Sequence, residues 1–176
     1  LQSEQGYISF YSEKNILKTD TKGRIWTVSP HGNIFHYDPL KDDFKEIPLP
    51  HNIKHETIEL VEMTDHDEIW FCHPDNQYKY DIHNNELKKI ALWHHHKHIT
   101  SIYQNKDKTY FIGTEEGICH VHLKGDTLYP IHTLNTQGAF NTPRTIYHHE
   151  KSNRLIAYSQ ADGMLVYDLT FDQIEY

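Results

Sequence analysis

Histidine is the residue type in this chain that is best suited to bind metal ions or transfer protons. The sequence has 16 histidines in 176 residues, and four of them lie in the run at residues 93–98. In an extended backbone His94, His96 and His98 share one side, which is how a strand offers imidazoles to a metal ion. No carboxylate or cysteine follows at ligand spacing. The run is therefore interpreted as a solvated connector, and the sequence predicts neither a resident metal nor a cofactor.

The remaining histidines that lie close together are interpreted in the same way. His120 and His122 alternate along a strand-like run and share a face, which is typical of hydrogen-bonded sheet residues. His148, His149 and Glu150 lie at the inner strand of the fourth repeat and are likewise interpreted as ordinary residues of the sheet and its turn. Because none of the common nucleophile, phosphate-loop, zinc-protease or dinucleotide motifs occurs, we expect no catalytic residues.

The elements that position these side chains repeat four times with a period near 43 residues. The equivalent positions Ile25, Ile69, Tyr110 and Leu155 are 44, 41 and 45 residues apart. A fixed period in this range indicates a repeat architecture. The repeats span approximately residues 15–50, 57–93, 98–134 and 143–176, and together they make one segment over residues 1–176.

Each repeat has the pattern of β-strands. Apolar and polar residues alternate with period two, β-branched and aromatic residues dominate, and glycine-containing turns separate the runs. In the second repeat the predicted strands are residues 58–64, 68–72, 77–82 and 86–92. Four short strands every 40 to 50 residues predict an all-β fold, a β-propeller of four-stranded antiparallel blades.

Burial explains why the repeats must stack. One four-stranded sheet cannot cover both of its own faces, whereas stacking it between neighbouring blades buries both. The second strand of each repeat is nearly all apolar, so we expect its aromatic residue to pack between blades. These residues are Trp26, Trp70 and Phe111.

Composition excludes two classes of partner. The net charge of −8 and the scattered lysines and arginines argue against nucleic-acid binding, which needs a basic surface. No stretch approaches the roughly 20 apolar residues of a membrane-spanning helix, so no direct membrane insertion is expected. Cys72 and Cys119 lie in different strands of adjacent repeats and are expected to be buried thiols.

The repeats resemble a known family. Residues 20–26 (DTKGRIW), 32–39 (GNIFHYDP) and Phe44 are similar to the two-component regulator propeller repeat. The second repeat keeps Ile69-Trp70 and Tyr80-Asp81 but lacks a glycine before them. The third keeps residues 116–118 (EGI) without a Tyr-Asp pair, and the fourth keeps Asp-Gly and Tyr-Asp pairs.

This resemblance implies a non-catalytic function. Such repeats form the periplasmic sensor region of bacterial hybrid two-component receptors, often receptors for glycan fragments, in which the kinase lies elsewhere in the chain. The resemblance therefore implies a periplasmic sensor segment with an oligosaccharide ligand. A metal-dependent lyase of the streptogramin-lyase type, with His148 and Glu150, and a free-standing interaction scaffold are the alternatives.

Propellers of this family usually have more than four blades. The resemblance therefore implies that about four blades form a partial, open propeller, either a piece of a receptor or a free-standing protein. A small closed ring of four blades is the alternative. Each open end would expose an apolar blade face. The partner that covers it is expected to be the remaining blades or a second copy of the chain.

A ligand is expected at one end of the blades. In a propeller, the loops that join strands two and three and those that lead to the next blade open on the same face. Function usually lies in such loops. The residues predicted there to bind ligand are Trp93, His95, His31, His73 and Asn76.

Overall fold

Strands account for nearly all regular structure in this protein. The structure is a computed structural model that describes residues 17–29, 33–48, 58, 60–64, 66–73, 76–93, 98–136 and 140–175, without the side chains of residues 60, 61 and 73. Its strands are β1 Lys18–Thr19, β2 Ile25–Val28, β3 Ile34–Asp38, β4 Asp43–Ile47, β5 Leu60–Met63, β6 Glu68–His73, β7 Asn76–Asp81, β8 Glu86–Leu92, β9 Ile99–Gln104, β10 Thr109–Thr114, β11 Gly117–Lys124, β12 Thr127–Thr133, β13 Thr145–His149, β14 Arg154–Ser159, β15 Gly163–Asp168 and β16 Gln173–Ile174.

The strands form four antiparallel blades in chain order. In the first blade β1 to β4 pair consecutively, and the same order recurs in β5–β8, β9–β12 and β13–β16. The four strands predicted in the second repeat are all present, with ends that differ by at most two residues. A 3₁₀ turn at Glu150–Ser152 is the one helical element in the described part of the chain. The propeller-blade prediction is confirmed.

Two of the blades are joined at their outer strands, which the repeat pattern does not predict. The outer strands β8 and β12 run parallel, with Ala91 opposite Thr127 and Leu92 opposite Leu128. The Ala91 amide also donates to the Asp126 carbonyl, at 2.8 Å. The outer strand of a blade exposes unpaired backbone groups, and this pairing satisfies part of both edges.

The hydrophobic core lies between the blades, as the repeats predict. Three buried clusters occupy the three successive interfaces, and the second-strand aromatics Trp26, Trp70 and Phe111 fall one in each cluster, with 3, 0 and 2% of their surface exposed. Their role in packing between blades is confirmed. Both cysteines are free and lie in the cluster between the second and third blades. Burial raises the pKa of Cys72.

The turn before the second strand has the same backbone in every blade. Gly23, Asp67, Lys108 and Asn153 occupy this position with φ of 76, 58, 67 and 49°. The second repeat therefore keeps the left-handed turn without glycine. Asp67 is also buried, and its carboxylate accepts hydrogen bonds from the amide and hydroxyl of Thr21 in the first blade, at 2.7 and 2.6 Å.

The blades form an open arc. The innermost strands contact one another in the order β1, β5, β9, β13, and among the described residues no strand of the fourth blade pairs with a strand of the first. The outward face of the fourth blade is apolar and exposed, with Tyr158 and Met164 opposite each other. Among the described residues there is no helix long and apolar enough to cross a membrane.

Candidate functional site

A cleft of about 460 Å³ opens between the third and fourth blades. It lies where the turn from β9 to β10 approaches the turn from β13 to β14. The lining residues are Asn105, Lys106, Asp107, Phe111, His120, His132, Leu134, His148, Glu150, Asn153 and Leu169. Its volume falls within the range of small-molecule sites, and it combines apolar walls with a few polar groups.

Aromatic rings form the floor of this cleft. Phe111 is a buried member of the third core cluster. The imidazole of His120 stacks on it, with ring centroids 4.6 Å apart and planes at 22°. The imidazole of His148 meets the same ring edge-on, at 5.4 Å and 71°. Phe111 thus holds one imidazole from each blade in a fixed orientation.

Hydrogen bonds fix the imidazole of His120. Its Nε2 lies 2.9 Å from the hydroxyl oxygen of Thr109. That hydroxyl donates to the carboxylate of Asp107 at 2.6 Å. Burial lowers the pKa of His120, and His148 and His132 add to this effect while Asp107 opposes it. His120 is therefore a neutral imidazole near neutral pH.

His148 is held by the neighbouring blade. Its Nδ1 lies 2.9 Å from Oδ1 of Asn105, whose amide nitrogen donates to the Thr109 hydroxyl at 3.0 Å. The Nε2 atom of His148 is buried without a hydrogen-bond partner among the described residues. A buried polar atom without a partner is unusual, so this nitrogen is the atom of the cleft best placed to meet a ligand.

A hydrogen-bond network connects the two blades at the outer wall. His132 Nε2 lies 2.8 Å from the Asp172 carboxylate, and the Tyr167 hydroxyl donates to the same oxygen at 2.7 Å. Burial, with the hydrogen bond to Asp172, raises the pKa of Tyr167 to about 12. The Tyr167 hydroxyl and then His132 lower the pKa of Asp172. This wall is thus a fixed part of the scaffold.

Charge at the mouth of the cleft is mainly negative. Glu150 pairs with Lys106 at 2.5 Å. The hydrogen bond from the Thr109 hydroxyl lowers the pKa of Asp107, against the effect of its burial, so this carboxylate is ionised. Within the described residues, no group of three or more histidine, cysteine or acidic side chains is arranged to hold a metal ion.

Of the residues predicted to bind ligand, the two that the structure describes in full, Trp93 and Asn76, lie away from this cleft. Trp93 is half-buried against the second core cluster and Asn76 begins β7, at the opposite end of the blades. His31 and His95 lie outside the described residues, and of His73 only the backbone in β6 is described. A ligand site at that face stays a prediction.

Only some of the residues that line the cleft could be identified from the sequence. His148 and Glu150, the candidate pair for a lyase, both line it. His120 does make a hydrogen bond within its sheet, as expected, but it also faces the cleft. Asn105, Asp107 and His132 were missed, since no local motif marks them. The one signal that could have found them is their position in the third repeat, with Asn105 and Asp107 in the turn from β9 to β10 and His132 opposite His120 in β12.

Comparison with known proteins identifies the fold. No protein-family model and no curated protein sequence matches the chain. Among solved structures, the extracellular domain of the putative one component system BT4673 from B. thetaiotaomicron matches 86% of this chain and 21% of its own, with a TM-score of 0.64 and 18% identity. The extracellular domain of the putative hybrid two component system BT3049 from the same organism matches 94% and 22%, at 0.66 and 17%.

An enzyme has the same type of fold. A streptogramin B lyase structure matches 86% of this chain and 53% of its own length, with a TM-score of 0.57 and 18% identity. The chain therefore spans about a fifth of the two extracellular domains and about half of the lyase. At these identities the likeness establishes the propeller fold alone.

Proposed function

We propose that this chain is a non-catalytic sensor segment from the extracytoplasmic part of a bacterial two-component receptor. The resemblance of its repeats supports this, as does the fold that it shares with extracellular domains of two putative hybrid two component systems. Because the chain spans about a fifth of those domains, the segment would act as part of a larger sensor. The kinase of that receptor would lie elsewhere, and the segment would face the periplasm.

The proposed ligand is an oligosaccharide, and the cleft between the third and fourth blades is its proposed site. The observation that carries this proposal is the buried, unpartnered Nε2 of His148 beside the Phe111–His120 stack. Ring faces can pack on the C–H surface of a sugar while imidazole and amide groups bond its hydroxyls. The second proposed location is the loop face, the end of the blades at which the sequence predicts a ligand site. The residues predicted there are Trp93, Asn76, His31, His73 and His95.

Calorimetric titration against a panel of oligosaccharides tests this function. We expect binding that survives a chelator and weakens when His148 is replaced by alanine. The matched control is His149→Ala, because His149 is the exposed next residue of the same strand. If Trp93→Ala abolishes binding and His148→Ala does not, the site is the loop face. If no sugar binds either location, the interaction-scaffold alternative replaces the sensing proposal.

The metal-dependent lyase remains the second candidate, for one specific reason. His148 and Glu150, which the sequence singled out for that chemistry, line the same cleft in a fold shared with a streptogramin B lyase. Against it, Glu150 is already paired with Lys106 and His148 with Asn105. Turnover of a streptogramin that stops on addition of chelator and in Glu150→Gln would establish the lyase and overturn the sensing proposal.

A partner is proposed for the outward face of the fourth blade, either the remaining blades of the propeller or a second copy of this chain. In the first three blades the second-strand position held by Trp26, Trp70 and Phe111 is buried by the next blade. The equivalent Ile156 lies on a face where Tyr158 and Met164 are 51 and 65% exposed. A terminal blade that ends an array normally has a polar outer face.

A further inference from the structure

We propose that the cleft selects a neutral, hydroxyl-rich ligand and rejects its acidic counterpart, because it offers hydrogen-bond acceptors and negative charge. This inference rests on the proposed function, since it specifies which class of saccharide the sensing cleft would take. It depends on three observations: the tautomers of two histidines, the charge at the mouth, and the contrast with the neighbouring interface.

The tautomer of His120 follows from its hydrogen bonds. The Thr109 hydroxyl has one proton, and it donates that proton to Asp107 at 2.6 Å. The same oxygen accepts from the Asn105 amide at 3.0 Å and lies 2.9 Å from Nε2 of His120. Nε2 must therefore carry the proton of the neutral ring, which leaves Nδ1 as an acceptor.

The same reasoning fixes His148 in the other tautomer. Because the amide nitrogen of Asn105 donates to Thr109, its Oδ1 is the atom that faces Nδ1 of His148, at 2.9 Å. A carbonyl oxygen only accepts, so Nδ1 carries the proton. The buried Nε2 is then a lone-pair acceptor without a partner among the described residues. A ligand hydroxyl would satisfy it.

Charge at the mouth strengthens this selection. The ionised Asp107 and the carboxyl group of Glu150 both line the cleft. Lys106, the one lysine or arginine among the described lining residues, is ion-paired with Glu150. A carboxylate or sulfate on the ligand would meet lone pairs and like charge, and such repulsion is an effective means of rejecting the wrong partner.

The neighbouring interface shows that the cleft is a specialised version of a common position. Between the second and third blades, the equivalent space is about 250 Å³. Lys79 and Glu68 form an ion pair of 2.7 Å there, and the Tyr110 hydroxyl donates to Glu68 at 3.0 Å. Strand register places Thr109 at the position of Glu68 and His120 at that of Lys79.

Tyr110, the third residue of this polar cluster between the second and third blades, also has a different residue at the equivalent position of the next blade. The fourth blade has Leu155 there. Three residues that fill and satisfy the second interface are thus replaced by a threonine, a histidine and a leucine. This replacement opens the space and leaves acceptors in it. At the position of His148 the neighbouring interface has Gln104, so a glutamine is compatible with this fold.

Calorimetry with matched probes tests the proposal near neutral pH. The probes are pairs that share a backbone: neutral α-1,4-linked galactose oligomers with oligogalacturonates, and neutral with sulfated dextran oligomers. We expect at least one neutral member to bind and its acidic partner to bind at least about tenfold more weakly, a difference of about 1.4 kcal/mol. His148→Phe should weaken the neutral ligand about tenfold, while His149→Phe should leave the affinity unchanged.

The outcomes separate this inference from the sensing proposal. An acidic probe that binds more tightly than its neutral partner overturns the selection and leaves sensing intact. Should no probe bind, sensing by this cleft and the selection that rests on it both fail. Long-range ¹H–¹⁵N spectra of the histidine rings test the tautomers independently of binding. The expected spectra show protonated Nδ1 in His148 and protonated Nε2 in His120. The opposite tautomer in His148 would remove its acceptor and overturn the proposal.

Discussion

Trp70 and Tyr110 meet edge to face across the interface between the second and third blades, with ring centroids 5.3 Å apart. Both are buried, and one carboxylate joins them: Glu68 accepts hydrogen bonds from the Tyr110 hydroxyl at 3.0 Å and the Trp70 indole at 3.4 Å. Burial, with the charge of Glu68, raises the pKa of Tyr110 far above its usual range. One contact thus combines apolar packing with hydrogen bonding between blades.

Replacing Trp70 by alanine should lower the free energy of unfolding by about 3–5 kcal/mol, the usual cost of removing a fully buried tryptophan. The side chain has no exposed surface and fills the second core cluster. Urea denaturation of the purified protein measures the change. Trp93→Ala is the control, because Trp93 is only partly buried at the edge of the same cluster. Equal midpoints for Trp70→Ala and wild type would contradict the prediction.

Packing of this kind could be predicted from the sequence because it recurs. The apolar second strand returns at a fixed interval, so the burial of Trp26, Trp70 and Phe111 follows from the repeat. The parallel pairing of Leu92 with Leu128 could not be predicted in this way. It depends on where two outer strands end in space, which an alternating pattern does not specify.

Replacing Gly113 by alanine should destabilise the junction between the third and fourth blades. A Cβ atom there would lie 2.4 Å from the Pro143 ring and 2.4 Å from the Ser101 hydroxyl, so the structure must shift to relieve both clashes. Overpacking of this kind typically costs about 1–3 kcal/mol. Thermal unfolding of Gly113→Ala, compared with Ser101→Ala, measures the effect. A Gly113→Ala protein as stable as wild type would show that the junction can relax.

The cleft was harder to predict than the packing. His120 and His148 are 28 residues apart and Asn105 and His148 are 43 apart, and each is unremarkable in its own strand. Only the stacking of adjacent blades brings them together around Phe111. The loop face was predicted from the general geometry of propellers. That geometry shows at which end of the blades the loops lie, but not which interface between blades contains different residues from its neighbour.

The outward face of the fourth blade should make the isolated chain associate. Tyr158 and Met164 are 51 and 65% exposed on an apolar sheet face, and exposed patches of this kind favour association. Sedimentation velocity should show mass that increases with protein concentration. The double variant Tyr158→Lys, Met164→Lys should suppress this increase. Phe171→Lys is the control, because Phe171 is 71% exposed but lies in a turn. A wild-type protein that stays monomeric at every concentration would contradict the prediction.

Acid should destabilise the fold in part through His120. Burial, together with His148 and His132, lowers its pKa in the folded state below the ordinary value of about 6.5. Between that value and the lower folded pKa, the unfolded chain binds the proton and the folded chain does not. Stability therefore rises with pH across this window and is lost as the pH falls through it.

Urea midpoints measured across this window for wild type and His120→Gln isolate the contribution of one histidine among 16. The variant should lose part of the dependence on pH, because glutamine does not titrate. His149→Gln should keep it, since His149 is exposed and bonded to Ser152 at its own turn. Parallel curves for wild type and His120→Gln would contradict the prediction, because they would mean that folding does not lower the pKa of His120.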